Sequence, residues 1–277
     1  MFIATVLANP EVRNLEGSLL ESLRNAWGGG DVIWLDHEAA AEFALPAMPD
    51  NRWQVWTDLQ GMGLDLVVQA AQGRRKRMLL ADMAGVGEHV AGITARAMNG
   101  ELDFEAALLE RVALLRGLDA EVIAQVLRER ITFMPGGAEL IATMKANGGH
   151  AALVSGGFTA FTEKVAATLG FDEHRANTLL VDGGRLTGDV ARPILGRQAK
   201  IEALEQIGAR LNIAESEVIA VGDGANDLGM LHRAGTGVAL HAKPVVAAEC
   251  EVRINHGDLT ALLFIQGYER SDFAPLA

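Results

Sequence analysis

From Met78 onward, short β-rich runs alternate with amphipathic helical stretches. Each strand-like run is brief and almost wholly apolar, which is typical of strands buried on both faces. This alternation predicts an α/β fold, with a mainly parallel sheet and helices on both of its faces. The predicted strands are MLLAD, HAALVS, EVIAVGD, GVAL and EVRIN.

Two segments interrupt this alternation. An all-helical block, roughly 86–130, is inserted after the first strand. Further on, TLLVDGGRLTGDV predicts a β-hairpin with Asp182-Gly183 at its centre. The helices expected between the strands are ELIATMKANG, FTEKVAATLG, RQAKIEALEQIGARL and ANDLGMLHRAG.

Residues 1–73 form a separate predicted unit. All four tryptophans lie between Trp27 and Trp56, and the apolar pattern gives the order β-α-β-β-α-β. Such an order packs as a small sheet covered by helices on one face. The basic segment AQGRRKRM (71–78) is interpreted as a solvated linker to the second unit, 74–277, with a phosphate-attracting patch as the alternative.

Composition argues against several function classes. The chain has 277 residues and a formal net charge of −12, which disfavours binding to nucleic acid or to an anionic membrane surface. Its single cysteine, Cys250, rules out an internal disulfide framework. No apolar stretch is long enough to span a bilayer, and no basic region precedes the apolar N-terminal run, so we expect a cytoplasmic protein.

Polar side chains cluster where the predicted strands end. In open α/β sheets, ligands bind at the carboxyl edge, where these ends meet. Carboxylates, a hydroxyl, amides beside glycines and a lysine suit phosphoryl transfer, because a carboxylate can attack phosphorus while others hold a hard divalent cation. The candidates are Asp82, Ser155, Gly156, Lys200, Asp223, Asn226 and Asp227.

The segments that carry these residues resemble the phosphoserine phosphatases of the haloacid dehalogenase (HAD) superfamily, from Arg74 to Phe273. The matching segments are ITARAMNGELDFEAALLERVALLRGL, LVSGGFTAF, DGGRLTGDV, GRQAK, VGDGANDLGM and HAKP. The resemblance implies a Rossmann-like parallel sheet with a helical cap after the first strand. The N-terminal unit resembles, more loosely, the small ACT-like (ferredoxin-like α+β) regulatory domain that bacterial members often carry.

The resemblance also implies the residues that hold the cofactor, Mg²⁺. Asp82 would be the nucleophile and a metal ligand, and Asp223 would supply the second metal carboxylate. Asp227 would support the metal shell.

For the substrate, the resemblance implies two groups of contacts. Ser155, Gly156 and Asn226 would contact the phosphoryl oxygens, and Lys200 would neutralise them. Arg111 in the cap would clamp the substrate carboxylate in bidentate fashion. The apolar side of the cap would be lined by Met98 and Phe104.

The first motif departs from the family pattern. The family has two aspartates separated by one residue and then a threonine, whereas Ala84 and Val86 stand at the positions of the second aspartate and the threonine. The simplest alignment is a deletion between Met83 and Ala84, which removes the general acid/base and a cap glutamate that would hold the substrate ammonium. Losing such an acid typically costs on the order of 10²–10⁴ in rate.

Three function classes are compatible with these features. The first is a Mg²⁺-dependent phosphatase of L-phosphoserine that completes serine biosynthesis through an aspartyl-phosphate at Asp82, or one acting on another small phosphomonoester. The second is a catalytically silent protein that binds phosphate or phosphoserine. The third, a receiver-type phospho-acceptor, is disfavoured by the helical insertion and the GDGAND carboxylates. A homodimer through the edge of the N-terminal sheet is the expected assembly.

Overall fold

The computed structural model describes residues 1–82, 104–129 and 133–276. Its N-terminal part is an antiparallel four-stranded sheet in the order β2-β3-β1-β4. The predicted order β-α-β-β-α-β is confirmed. The elements are β1 (Phe2–Ala8), α1 (Gly17–Trp27), β2 (Ile33–Asp36), β3 (Ala40–Leu45), α2 (Arg52–Gln60) and β4 (Leu64–Ala70).

The two faces of this N-terminal sheet are buried against different partners. On one face, Ala4 and Val6 of β1 pack with Leu20 of α1 and Leu59 of α2, so both helices cover the same side. On the other face, Leu7 of β1 belongs to a hydrophobic cluster that extends into the rest of the molecule. The side chains alternate because successive residues of a strand point to opposite faces.

The second sheet has six strands in the order β12-β11-β10-β5-β6-β7, and every neighbouring pair is parallel. This confirms the predicted α/β fold. Strand β7 was missed by the sequence analysis, whereas the other five were predicted. The strands are β5 (Met78–Ala81), β6 (His150–Phe158), β7 (Glu173–Asn177), β10 (Val218–Gly222), β11 (Thr236–Leu240) and β12 (Val252–Ile254).

Helices lie on both faces of this sheet, as predicted. On one face, Leu79 and Ala81 of β5 pack in a buried cluster with the helices Gly137–Ala146 and Thr159–Leu169. On the other face, Met78 and Leu80 pack in a second cluster with the helices Arg197–Leu211, Leu228–Arg233 and Pro244–Ala248. No described helix is long and apolar enough to cross a membrane. The helices are α5 (Gly137–Ala146), α6 (Thr159–Leu169), α7 (Arg197–Leu211), α8 (Leu228–Arg233), α9 (Pro244–Ala248) and α10 (Ala261–Phe264).

The described part of the predicted helical insertion contains α3 (Phe104–Ala113) and α4 (Glu121–Glu129). Residues 86–103 and 130 of that block, with Met98 among them, lie outside the described residues. Helix α3 packs against a hairpin of β8 (Leu179–Asp182) and β9 (Arg185–Val190). The predicted hairpin is confirmed, but its centre is one residue further on, because Gly183 and Gly184 both have positive φ, as a two-residue turn requires.

The basic segment 71–78 connects the two sheets, as the linker interpretation expects, but it is only partly solvated. Arg75 and Arg77 are exposed, whereas Arg74 and Lys76 are partly buried. Arg74 forms a two-point ion pair with Glu42 of β3, at 2.6 and 3.1 Å, with both side chains largely buried. The Arg75 guanidinium lies 3.8 Å from the centre of the Tyr268 ring. Arg74 and Arg75 find these partners because their segment runs between two sheets that share a hydrophobic core.

Arg74 is expected to stabilise the fold far more than the neighbouring Arg77. Replacing Arg74 with methionine leaves the Glu42 carboxylate buried without its cation, which we expect to lower the free energy of unfolding by about 3 kcal/mol. Arg77 forms a more exposed pair with Glu217 at 3.3 Å, so Arg77→Met is the matched control and should hardly change stability. Equilibrium unfolding in urea measures the free energy of unfolding of both variants. Equal losses in the two variants would contradict the larger stabilising role of Arg74.

Candidate active site

Two acidic residues meet at the carboxyl edge of the parallel sheet. Asp82 follows β5, and Asp223 follows the neighbouring strand β10. The two strands are in register, with Ala81 opposite Val221, and the Asp82 N–H donates to the Val221 carbonyl at 3.0 Å. The parallel ladder therefore brings the two carboxylates side by side, as the sequence analysis predicted.

Asp227, in the loop between β10 and α8, is fully buried. Its Oδ2 accepts the N–H groups of Asp223 at 3.2 Å and Gly224 at 3.0 Å, so its carboxylate closes the turn that carries Asp223. Gly222 allows this closure, because a Cβ there would lie 2.5 Å from Cγ of Asp227. The GDGAND segment is thus a turn folded around a carboxylate.

Lys200 joins this turn to Asp82. It lies in the first turn of α7 and is 1% exposed. Its Nζ is 2.8 Å from Oδ1 of Asp82 and donates a short hydrogen bond to Oδ1 of Asp227. Burial alone would lower the pKa of Lys200, but the two carboxylates raise it to about 12. The lysine is therefore a fixed positive charge at neutral pH.

One lysine does not balance three carboxylates. Oxygen atoms of Asp82, Asp223 and Asp227 all lie within 4.8 Å of one another. Burial, and then the charge of Asp82, raises the pKa of Asp223. The same two causes raise the pKa of Asp227, to about 6, against the opposing effect of Lys200. Burial and the neighbouring carboxylate thus both disfavour the charged forms of Asp223 and Asp227.

The clustered carboxylates fit a divalent cation. Hard cations take clustered carboxylate oxygens, and a bound cation would favour the charged forms of carboxylates that burial and mutual repulsion disfavour. Asp82 keeps one oxygen beyond its contact with Lys200, and Asp223 adds a second carboxylate, whereas both oxygens of Asp227 already accept hydrogen bonds. Nearby, Oδ1 of Asn226 is buried and has no hydrogen-bond partner among the described residues.

The predicted phosphate-contacting residues form the end of β6. The pairing of β6 with β7 becomes irregular between Val154 and Phe158, and we call this irregular end of the strand the β6 loop. Ser155 is buried, and its Oγ accepts the N–H of Gly157 at 3.0 Å. Gly156 lies against the ring of Phe104, since a Cβ there would be 2.8 Å from Cζ of that ring. The cap helix α3 therefore begins directly over this loop.

Arg111 lies on the same helix as Phe104. Seven residues separate them, which is close to two helical turns, so both are on one side of α3. The Nε of Arg111 donates to the Ala107 carbonyl at 3.0 Å, and burial lowers the pKa of Arg111. Arg111 thus lies on the same side of α3 as Phe104, the residue that contacts Gly156.

Asn177, at the end of β7, is a site residue that the sequence analysis missed. It is 1% exposed, and its Nδ2 donates to the Gly156 carbonyl at 3.0 Å. Its Oδ1 accepts the N–H of Leu195 at 2.8 Å, just before the helix that carries Lys200. Asn177 therefore holds the β6 loop and the approach to Lys200 together.

Several phosphoserine phosphatases are similar to this chain in sequence. The one from Streptomyces coelicolor is 39% identical over 293 residues, covering 98% of this chain and 71% of the relative. The one from Haemophilus influenzae is 43% identical over 184 residues, covering 66% of this chain but only 58% of the relative. The chain thus spans only part of the length of these relatives.

Solved structures show the same architecture. A HAD family hydrolase from Salmonella enterica serovar Typhi has a TM-score of 0.82 at 29% identity, covering 96% of this chain and 99% of that one. A substrate-bound phosphoserine phosphatase complex has a TM-score of 0.64 at 35% identity, covering 69% of this chain and 98% of that one. Residues 59–232, more than half of the chain, match the family model for haloacid dehalogenase-like hydrolases. The chain belongs to the haloacid dehalogenase-like hydrolase family.

Proposed function

We propose that this chain is a Mg²⁺-dependent phosphatase that hydrolyses L-phosphoserine to L-serine and phosphate. The observation that carries the proposal is the buried Lys200 between Asp82 and Asp227, beside Asp223 at the carboxyl edge of the sheet. The relatives named phosphoserine phosphatase support this choice of substrate. No comparison supports the catalytically silent alternative.

In the proposed reaction, a carboxylate oxygen of Asp82 attacks phosphorus, the bond to the serine oxygen breaks, and an aspartyl-phosphate forms. As it leaves, the serine oxygen takes a proton from solvent water. A second water then adds to phosphorus, which releases phosphate and restores the Asp82 carboxylate. Lys200 holds the Asp82 carboxylate at 2.8 Å and places a fixed positive charge beside the transferred group. Ser155 and Asn226 would supply further polar contacts to the phosphoryl oxygens.

Asp82 and Asp223 would hold the Mg²⁺, and Asp227 would orient the loop that carries Asp223. When bound, the cation supplies positive charge that offsets the carboxylates and the phosphoryl oxygens. The engaged oxygens of Asp227 favour its supporting role over direct ligation. Ala84 and Val86, where the family motif departs, lie outside the described residues.

The first test is phosphate release from L-phosphoserine with and without Mg²⁺. We expect Mg²⁺-dependent turnover that falls on the order of 10⁴-fold or more in Asp82→Asn, because the amide oxygen is a far weaker nucleophile. Asp50→Asn, at an exposed position, is the matched control and should keep wild-type rates. If wild-type protein showed no turnover, the silent binding protein would replace the phosphatase.

The role of Arg111 is tested by comparing two substrates. We expect Arg111→Ala to lower kcat/KM for L-phosphoserine by ~10–100-fold, because a charged hydrogen bond to the substrate carboxylate is lost. Hydrolysis of p-nitrophenyl phosphate, which has no carboxylate, should change little. Arg128→Ala, on the exposed side of α4, is the control. Equal losses on both substrates would show that Arg111 acts on the cap structure rather than on the carboxylate.

We also propose that the chain forms a homodimer through the N-terminal sheet. Its edge strand β2 leaves the Ile33 side chain half exposed, and edge strands readily pair with a second chain. Sedimentation equilibrium at micromolar concentration should give twice the chain mass of 29.4 kDa. A single species at the chain mass would remove the dimer.

A further inference from the structure

Asp65 lies in β4 of the N-terminal sheet and is fully buried. Its Oδ1 accepts the N–H of Asn255 at 2.9 Å, and its Oδ2 accepts the N–H groups of His256 and Gly257, both at 2.8 Å. Gln60 donates a fourth hydrogen bond at 3.2 Å. A carboxylate that accepts charge-assisted bonds from three successive amides fixes the backbone of that segment. We call residues Asn255–Gly257 the junction loop.

The junction loop in turn holds His241. Nε2 of His241 lies 2.7 Å from the Gly257 carbonyl, and because a carbonyl only accepts, the imidazole donates from Nε2. The His241 N–H donates to the Ile254 carbonyl at 2.7 Å, just before the junction loop. His241 has φ +48°, a left-handed conformation that side-chain-bearing residues seldom adopt. Two contacts with the neighbouring segment hold it there.

His241 begins the segment that supports Asp223. Two residues further on, the N–H of Lys243 donates to the Asp223 carbonyl at 3.3 Å. Asp223 is one of the three clustered carboxylates at the edge of the sheet. A continuous series of contacts therefore runs from Asp65 in the N-terminal sheet, through the junction loop and His241, to the backbone of Asp223.

We propose that Asp65 and His241 are positioning residues for the loop Asp223–Asp227, so that the N-terminal sheet sets the geometry of the cation site. This inference rests on the proposed function only in assigning Mg²⁺ to that site. Neither residue touches the carboxylate cluster, and both act through the backbone that carries it. Losing a group that hydrogen-bonds a metal ligand directly typically costs ~10–100-fold in affinity, so we expect the low end of that range for residues that act from further away.

The test measures Mg²⁺ binding by calorimetry on the full chain, with no substrate present. The variants are Asp65→Asn, which removes the charge, and His241→Asn, which removes the imidazole but keeps a residue that tolerates positive φ. We expect each to raise the Mg²⁺ Kd by ~10-fold. The control His232→Asn loses a similar bond, from Nε2 to the Glu249 carbonyl at 3.0 Å, and should bind like wild type.

The double variant tests whether both residues act through one route. Because residues in one network are not additive, Asp65→Asn with His241→Asn should raise the Kd by about the same ~10-fold as either alone. If the two residues acted independently, the Kd of the double variant would rise by ~100-fold, and the proposed series of contacts through both residues would be wrong. A smaller bound fraction at unchanged Kd would mean that these residues only keep the chain folded, and this too would overturn the proposal.

Amide hydrogen exchange without metal separates this proposal from the proposed phosphatase. Both variants should exchange faster at residues 223–227, whereas Asp58→Asn, at an exposed position on α2, should not. This readout stands whether or not the chain hydrolyses L-phosphoserine or binds Mg²⁺. Unchanged exchange at 223–227 in both variants would overturn the positioning role even if the phosphatase is active.

Discussion

The buried contact of Lys200 with Asp82 and Asp227 is the interaction on which the site depends. An ammonium group that is 1% exposed is costly to bury unless carboxylates surround it. The pairing therefore fixes the start of α7, the end of β5 and the loop after β10 relative to one another. The same contacts fix the directions of the Asp82 and Asp227 carboxylates, and electrostatic catalysis depends on charged groups that the protein holds in place.

Apolar patterning explains how much of the fold could be predicted from the sequence. Five of the six parallel strands were predicted from short runs rich in apolar residues, and α7 spans Arg197–Leu211, the same residues as its predicted segment. Strand β7 has the sequence EHRAN, with only Ala176 and Asn177 buried, so it carries no apolar signal. It lies at the edge of the sheet, where it pairs with a single strand, β6. Missing β7 also meant missing Asn177 as a site residue.

The contacts between the two sheets could not be predicted from the sequence pattern, for a different reason. A run of basic residues has the same appearance whether it is solvated or paired, because the partners are far away in the chain. Arg74 pairs with Glu42, and Arg75 stacks on Tyr268. Asp65 is likewise one polar residue in an otherwise ordinary strand, LDLVVQA. Only the folded structure brings these partners together.

The shared core limits how the N-terminal sheet can influence the site. Leu7 and Val67 of that sheet are buried in the same cluster as Leu79 and Ile254 of the parallel sheet, so detaching it would expose apolar surface from both. The N-terminal sheet can therefore influence the carboxylate loop only through small displacements of the residues that join the two sheets. The junction loop is such a contact, since a displacement of Asp65 moves three backbone amides at once. A rigidly attached domain can therefore act on the carboxylate loop without separating from it.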